Sequence, residues 1–338
     1  MAKSNFNGRL IGIALSLLGA SGCAIRHRVA QEQSVTVPAA VASSSPTPAP
    51  AAPVASSADQ SAIQSWCHDV TVRIQRYRWP EKPCEVSNWK VWGKSKLGRP
   101  LVYADFGNPD MTNTTLVFAM VHGDEFTPLF VALRLTKWLQ DNMDVFPTAR
   151  IVVVPLVNPD GFFAEKQSRF NANGVDLNRN FDTKDWPELA LKNWKVKYKS
   201  DPRRFPGEAP GSEIETKFQV DMVKRLQPSK IISIHAPLNF FDYDGPTTLS
   251  LNNFSEDYVK QCQQLRSKVR AISGVFYPGS LGNYAGQERG IPTFTLELPT
   301  ANPKNALQYW RRFKPGIRTV IDFKFSNEIS KKNSKPNS

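Results

Sequence analysis

The sequence predicts an α/β fold, a three-layer α/β/α sandwich built around a mixed, largely parallel sheet. Several short segments are apolar throughout, which is typical of strands that are buried on both faces of a sheet. Stretches with helical periodicity alternate with them along the chain. The chain has 338 residues, of which 41% are hydrophobic, so it is long enough for one large domain with an ordinary core. No internal repeat is visible in it.

The individual elements follow from the same patterns. Residues 101–106 and 114–121 are predicted to be neighbouring strands, with the turn sequence of residues 107–110 between them. Ser212 and Glu215 have the spacing of a capping box, which predicts the start of a helix. The other predicted strands are 150–156, 230–235 and 292–298, and the predicted helices are 128–140, 212–226, 257–273 and 305–323.

The first 22 residues have the pattern of an export signal. Lys3 and Arg9 precede an apolar run, residues 10–20, that is too short to span a bilayer stably. The small residues before Cys23 resemble a bacterial lipoprotein signal, in which Cys23 becomes the lipidated first residue. A plain signal peptide, with Cys23 incidental, is the alternative. Because Ala24 follows Cys23, we expect an exported outer-membrane lipoprotein, anchored through its N-terminal lipid at the periplasmic face of the cell envelope.

Composition divides the rest of the chain. Residues 34–62 are rich in Ala, Pro, Ser, Val and Thr, and such a segment cannot bury enough apolar surface to offset its ordering entropy. The predicted organisation is a signal peptide at 1–22, a disordered tether at 23–62, one folded domain at 63–326 and a basic disordered tail at 327–338.

Cysteine usage agrees with export. An oxidising compartment would permit a disulfide between Cys67 and Cys84, which closes a loop worth about 3 kcal/mol by chain entropy. An unbridged pair is the alternative. Cys262 lies in a helical pattern and is predicted to be a small buried residue. None of the three has the spacing of a metal site.

The charge balance is strongly basic. The net charge is +13, and residues 1–22 contain Lys3 and Arg9 but no acidic residue, so their removal leaves +11. Seven basic residues lie within residues 184–204. Nucleic acid is one partner class for such a surface, but an exported, tethered protein would rarely meet it. Polyanionic cell wall or anionic lipid head groups fit better, and most individual lysines need no partner at all.

Four polar residues stand at the ends of predicted buried strands. His122 and Glu125 follow one strand, His235 ends a second, and Glu297 ends a third. Burying such groups is costly unless they are paired or metal-bound. One site explains all four: His122, Glu125 and His235 bind one catalytic zinc ion per chain, and Glu297 takes the proton of the attacking water.

The stretch from Arg169 to Phe181, which includes Asp-Leu-Asn-Arg-Asn-Phe, resembles the zinc carboxypeptidases related to carboxypeptidase A, and the resemblance covers about residues 88–323. It implies a single domain of that fold, with His122, Glu125 and His235 as zinc ligands and Glu297 as general base. It further implies that Arg169 polarises the scissile carbonyl and that Asn178 and Arg179 hold the substrate's terminal carboxylate.

Two further segments, the four residues from His235 and residues 278–284, resemble the bacterial murein peptide amidase branch of that family. The branch cuts the bond between γ-D-glutamate and meso-diaminopimelate, which implies peptidoglycan stem peptides or released muropeptides as substrates. Tyr277 and Tyr284 lie nearby, but neither aligns with the tyrosine that caps the substrate in digestive carboxypeptidases, and neither is given a role.

Three alternatives stay open at this point. The first is an exported carboxypeptidase that acts on ordinary L-peptides. The second is a wall-binding protein that has lost catalysis, which the intact ligand set and base disfavour. The third is a zinc-dependent deacylase of N-acyl amino acids, which the complete element from Arg169 to Phe181 disfavours.

Overall fold

A seven-stranded mixed sheet organises the residues that the computed structural model describes, 56–245 and 277–324. Strands β1 to β7 are Trp89–Lys94, Pro100–Phe106, Asn113–Ala119, Ala149–Val154, Lys230–His235, Phe240–Asp244 and Thr293–Glu297. Their order across the sheet is β1-β2-β4-β3-β5-β7-β6. The four central strands are parallel, whereas β1/β2, β2/β4 and β6/β7 pair antiparallel. The predicted mixed sheet with a parallel centre is confirmed.

The two strands that the sequence predicted to be neighbours do not pair. β4 lies between them, antiparallel to β2 and parallel to β3. The turn after β2 packs against the start of β4: Gly107 has φ +88°, and a Cβ there would lie 2.3 Å from the Ala149 carbonyl oxygen. The turn sequence predicts where β2 ends, but it does not predict which strand pairs with β2. The strand that does so is β4, which follows an intervening helix in the chain.

Helices cover both faces of the sheet. Helices α1 to α6 of the described residues are Ser57–Gln75, Phe126–Asn142, Pro159–Phe163, Trp186–Val196, Ile214–Leu226 and Ala306–Asp322. Side chains alternate along β3: Leu116 and Phe118 pack in a cluster with α5, whereas Val117 and Ala119 pack in another with α1, α2 and α6. This gives the predicted three-layer sandwich. No helix in these ranges is long and apolar enough to cross a membrane.

Helix α1 begins inside the segment predicted to be a tether. The side chain of Ser56 accepts a hydrogen bond from Asp59 N and caps the helix, and Trp66, Val70 and Ile74 are buried on its inner face. The Ala- and Ser-containing start of this helix has the same composition as the tether, so composition alone placed the boundary at residue 62, too late. The signal peptide with Cys23, residues 23–55, the predicted helix 257–273 with Cys262, and the tail 327–338 lie outside the described residues.

A disulfide joins Cys67 in α1 to Cys84 in the turn before β1. This is the pairing considered from the sequence. The neighbouring Trp66 packs edge-to-face on Trp89 of β1, with ring centroids 4.7 Å apart. The bridge and the ring pair together hold α1 against the edge of the sheet.

The predicted capping box is wrong. Helix α5 starts at Ile214, and its N-cap Glu213 makes no side-chain capping bond. Ser212 donates to Glu213 instead, and Glu215 is fully buried, where it accepts a hydrogen bond from Asn171 Nδ2 at 2.9 Å. The helix start is predicted correctly, but tertiary contacts use the side chains that the local pattern assigned to capping.

Candidate metal centre and active-site cleft

The carboxyl ends of β3, β5 and β7 meet at one edge of the sheet. His235 and Glu297 are the last residues of β5 and β7 and are register partners. His122 and Glu125 lie in the turn between β3 and α2. Because these three strands are parallel and adjacent, the four side chains come together at the kind of edge where α/β sheets bind ligands.

Close backbone packing fixes the turn after β3. A Cβ on Gly123 would lie 2.3 Å from the carbonyl carbon of Gly161, so any larger residue would push the turn away from α3. Met120 adopts a left-handed φ of +53°, and its carbonyl oxygen accepts a hydrogen bond from Asn158 N at 3.0 Å. This packing places His122 and Glu125 in the interior, both buried.

Three buried side chains aim their donor atoms at one point. His122 Nδ1 is 2.6 Å from Glu125 Oε1 and 3.3 Å from His235 Nδ1, and His235 Nδ1 is 3.1 Å from Glu125 Oε2. Ligands held at 2.0–2.2 Å by a tetrahedral zinc ion lie about 3.3 Å from one another. Two imidazoles and one carboxylate are also the donor set of catalytic zinc sites, which keep a fourth position open. Spacing and chemistry therefore both fit zinc.

Asp176 orients the first of these ligands. It is fully buried, its Oδ1 lies 3.1 Å from His122 Nε2, and its Oδ2 accepts from Arg169 Nε at 2.9 Å. A carboxylate at Nε2 favours the tautomer with its proton on Nε2, which leaves the Nδ1 lone pair for a metal. Asp176 thus holds the His122 ring in the orientation and tautomer that metal binding requires.

Electrostatics keep the carboxylates of this cluster ionised. Burial alone would raise the pKa of Glu125, but His122 and His235 outweigh burial and hold the pKa below its ordinary value. Burial likewise acts to raise the pKa of Asp176, and Arg169 and His122 outweigh it, so this pKa lies well below its usual range. A charged carboxylate is the form that a metal ligand and its orienting partner both require.

Glu297 has a different environment. Burial raises the pKa of its carboxyl; His235 opposes the rise and Glu125 reinforces it. Its Oε2 accepts a hydrogen bond from Leu238 N at 3.3 Å, and its Oε1 accepts none from the part of the chain that the structure describes. The side chain lines the same cleft as His122 and Glu125, without belonging to the cluster of three candidate ligands. A raised pKa and a free oxygen suit a group that accepts a proton during catalysis.

Arg169 stands beside the metal cluster. Its Nη1 lies 3.2 Å from His122 Nδ1 and 3.4 Å from Glu125 Oε1, while its Nε is held by Asp176. The guanidinium is therefore fixed within reach of any carbonyl that approaches the metal position. A preorganised cation at that place stabilises negative charge that develops on the carbonyl oxygen.

Asn178 and Arg179 lie on a 3₁₀ turn, Leu177–Arg179, at the side of the cleft. Asn178 Oδ1 accepts from Leu281 N at 2.9 Å, which leaves its amide nitrogen as a donor for a ligand. Arg179 is 8% exposed and lies over the ring of Tyr277 at 4.2 Å, and no group in the described ranges is hydrogen-bonded to its Nε. A buried guanidinium with an open donor is suited to an anionic ligand.

The cleft has a volume of about 410 Å³. The end of the basic segment 184–204 forms part of its wall, since Arg203 and Arg204 line it and Arg203 Nη1 donates to Asp124 Oδ2 at 2.8 Å. Tyr277 lines the cleft as well, but Tyr284 is buried and packs in a tilted arrangement against Phe181, with ring centroids 5.3 Å apart.

Sequence reasoning missed several of these residues. Asp176 begins the Asp-Leu-Asn-Arg-Asn-Phe motif, and an acidic residue between Val175 and Leu177 is itself a sign of a paired buried charge. Asp242 and Asp244 on β6 were also missed, and both line the cleft. Their alternation along a strand is visible in the sequence, but the face that they occupy is not.

Comparison with known proteins agrees with this architecture. The profile of the family described as zinc carboxypeptidase matches residues 81–312. Murein peptide amidase A of Escherichia coli (strain K12) is 35% identical over 220 residues, which are 64% of this chain and 83% of that protein. Murein peptide amidase A of Vibrio campbellii is 29% identical over 215 residues, 62% of this chain and 78% of that protein.

Among solved structures, murein-tripeptide amidase from Escherichia coli O157 superposes with a TM-score of 0.51 at 24% identity, covering 71% of this chain and 93% of that one. At this identity the superposition bears on the fold alone.

Proposed function

The chain belongs to the zinc carboxypeptidase family and is a metallopeptidase hydrolase, and we propose that it releases meso-diaminopimelate from peptidoglycan stem peptides or muropeptides by hydrolysing the γ-D-glutamyl bond. The observation that carries the proposal is one cleft that is lined by two members of the His-Glu-His cluster, His122 and Glu125, together with the buried carboxylate of Glu297 and the buried Arg179. The kinship with murein peptide amidases supports the choice of substrate.

The proposed zinc site consists of His122, Glu125 and His235. When bound there, zinc lowers the pKa of water and polarises a carbonyl as a Lewis acid. Glu297 accepts a proton from the attacking water, whose oxygen bonds to the carbonyl carbon, and then gives that proton to the leaving amine as the C–N bond breaks. Arg169 donates to the carbonyl oxygen while negative charge develops on it.

Arg179 and Asn178 position the substrate by its end. The Arg179 guanidinium is buried, and within the described residues its Nε has no hydrogen-bond partner, so a substrate carboxylate can bind it directly. A planar guanidinium grips a carboxylate bidentately. A clamp of this kind selects the C-terminal residue, so the proposed activity removes one residue at a time.

The proposed location follows from the N-terminal sequence. We infer that residues 1–22 direct export and that lipid on Cys23 anchors the chain at the periplasmic face of the outer membrane. The residues between Cys23 and helix α1 would then act as a tether that allows the enzyme to reach wall peptides. Such a protein meets the wall and its fragments before any other peptide pool.

A matched substrate pair tests the proposal. The full-length, zinc-loaded chain is incubated with L-Ala-γ-D-Glu-meso-diaminopimelate and with an N-acylated L-peptide that ends in lysine, and the released amino acid is quantified. We expect release from the γ-linked substrate, at least about tenfold faster than from the L-peptide, and loss of both activities in 1,10-phenanthroline. Cleavage of the L-peptide alone would instead identify a general carboxypeptidase.

A further inference from the structure

A second cavity borders the active-site cleft at Arg203. This cavity has a volume of about 830 Å³ and is lined by residues between positions 160 and 172 and by Leu97 and Arg99. Of the described residues, only Arg203 lines both the cavity and the cleft. Its side chain therefore stands at the end of the cleft where a bound substrate can continue beyond the catalytic residues.

An ion pair holds Arg203 against the turn that carries two of the proposed zinc ligands. Asp124 precedes Glu125 in that turn, and its Oδ2 accepts a hydrogen bond from Arg203 Nη1 at 2.8 Å. The side chains of Arg203 and Asp124 are 55% and 22% exposed, and a pair with this exposure contributes little to stability. Its main consequence is the position of a guanidinium beside the metal turn.

The backbone of Arg203 is fixed as well. Arg203 lies in the 3₁₀ turn Pro202–Arg204, which Asp201 caps by accepting a hydrogen bond from Arg203 N at 3.0 Å. Directly after this turn, the carbonyl oxygen of Phe205 accepts from Asp176 N at 2.8 Å. Because Asp176 orients His122, the turn that carries Arg203 is attached to the metal centre through its backbone as well as through its side chain.

One edge of the Arg203 guanidinium is available to a ligand. The ion pair uses Nη1, and within the described residues neither Nε nor Nη2 donates a hydrogen bond. A guanidinium binds a carboxylate through two parallel N–H groups, and Nε and Nη2 supply such an edge. Arg204 lines the cleft too, but its guanidinium lies over the ring of Tyr198 at 4.6 Å.

The two ends of the cleft meet different parts of a substrate. Asn178 and Arg179, which are proposed to hold the terminal carboxylate of the released residue, line the cleft but not the second cavity. Arg203 lies at the end that borders the second cavity. The residue that precedes the scissile bond is therefore the part of the substrate that comes near Arg203.

We propose that Arg203 reads the free α-carboxylate of the γ-linked glutamate that supplies the scissile carbonyl. This inference rests on the proposed function, since it names the group that distinguishes a γ-glutamyl bond from an ordinary peptide bond. Four covalent bonds separate the scissile carbonyl carbon from the carboxylate carbon, which is about 5 Å in an extended chain. The carboxylate thus lies close enough to the metal centre to meet a guanidinium that is held on the metal turn.

The test compares two substrates that differ only in this charge. L-Ala-γ-D-Glu-meso-diaminopimelate is paired with the corresponding D-isoglutamine peptide, in which a carboxamide replaces the α-carboxylate, and kcat/KM is measured at pH 7.5 with the full-length, zinc-loaded chain. The wild type should prefer the carboxylate at least about tenfold, because hydrogen bonds between charged groups are stronger than those to a neutral amide. Arg203→Gln should bring the ratio of the two rates to within about threefold of unity, and Arg203→Lys, which keeps the charge but not the bidentate edge, should give an intermediate ratio.

A second pair of substrates makes the test independent of the type of bond. N-acetyl-L-Glu-meso-diaminopimelate and N-acetyl-L-Gln-meso-diaminopimelate contain an ordinary peptide bond, but the side-chain carboxyl carbon of this glutamate also lies four bonds from the scissile carbonyl carbon. If the chain cuts only these peptides, the same preference for the carboxylate, and its loss in Arg203→Gln, are expected here.

A ratio of rates separates a specificity role from general damage, because loss of fold or of zinc lowers both rates together. Arg225→Gln is the matched control. Arg225 is 52% exposed and pairs with Asp221 Oδ2 at 2.7 Å on α5, but it lines neither the cleft nor the second cavity. This variant should keep the full preference for the carboxylate.

The outcomes of this test are distinct. Equal rates on the two members of the pair that the wild type cuts, or an undiminished ratio in folded Arg203→Gln, overturn the assignment of Arg203. Turnover of the N-acetyl peptides with none of either γ-linked substrate contradicts the proposed function. A preference for glutamate over glutamine in that pair that is lost in Arg203→Gln would still support the assignment.

Discussion

Asp176→Asn tests whether the carboxylate that contacts His122 controls metal binding at the proposed zinc site. The carboxylate accepts from Arg169 Nε at 2.9 Å and from Asn178 N at 3.1 Å, and it lies 3.1 Å from His122 Nε2. An amide at this position has only one oxygen. If that oxygen faces His122, the amide nitrogen opposes the N–H of Arg169. If it faces Arg169, the amide nitrogen donates to His122 and moves the imidazole proton to Nδ1, the atom that should bind zinc.

Either orientation weakens zinc binding. Removal of an orienting carboxylate typically costs 10- to 100-fold in metal affinity, which is about 1.4–2.7 kcal/mol at 25 °C. We therefore expect the zinc Kd of Asp176→Asn to rise by about one to two orders of magnitude, measured by competition with a fluorescent chelator of known affinity. Activity at limiting zinc should fall in parallel.

A matched variant separates this effect from loss of stability. Asp105, whose side chain is 6% exposed, also pairs with an arginine: Nε and Nη2 of Arg150 donate to it at 3.0 Å. It lies on β2, which contributes no residue to the metal cluster. Asp105→Asn should lower the free energy of unfolding and leave the zinc Kd within about twofold. A folded Asp176→Asn protein that binds zinc as tightly as the wild type would refute the reasoning.

Three further predictions concern stability and substrate binding. Replacing Cys67 and Cys84 by serine, which opens a bridge across 17 residues, should lower the free energy of unfolding in denaturant by about 3 kcal/mol; a loss below about 1 kcal/mol would contradict the assignment. Burial raises the pKa of Glu215 to about 7. Its contribution to the free energy of unfolding is therefore fully stabilising below the pKa of the unfolded chain, near 4.5, and is lost as the pH rises through 7. The loss amounts to about 3 kcal/mol, and Glu215→Gln should flatten the fall in unfolding free energy between pH 5 and 8, an effect that an unchanged slope would exclude. Arg179→Lys cannot grip a carboxylate bidentately and should raise KM about tenfold with a smaller change in kcat; a loss confined to kcat would place this residue elsewhere in the mechanism.

Much of the architecture could be predicted because it is encoded locally. The apolar runs of the central strands and the periodicity of α2, α5 and α6 are visible in the sequence, and these strands deliver His122, Glu125, His235 and Glu297 to one edge. Once the central strands are parallel, polar residues at their carboxyl ends must meet. This is why four residues spread over 176 positions could be assigned to one site from the sequence alone.

Other features could not be predicted because they depend on contacts between distant segments. The insertion of β4 between β2 and β3 is a property of topology, and no turn sequence records it. The capping box at Ser212 failed because Glu215 is bound by Asn171 from another loop. The sequence does not show that Asp242 and Asp244 line the cleft, because only the register of β6 determines which face of the sheet they share.

The proposed function is tested by digesting purified muropeptides with the full-length, zinc-loaded chain and analysing the products by mass spectrometry. We expect the loss of one diaminopimelate residue from tripeptide-bearing muropeptides. We also expect Glu297→Gln to retain one zinc per chain and its fold but to lose turnover by at least about 100-fold. Turnover by that variant within tenfold of the wild type, or release of no diaminopimelate by the wild type, would contradict the proposed function.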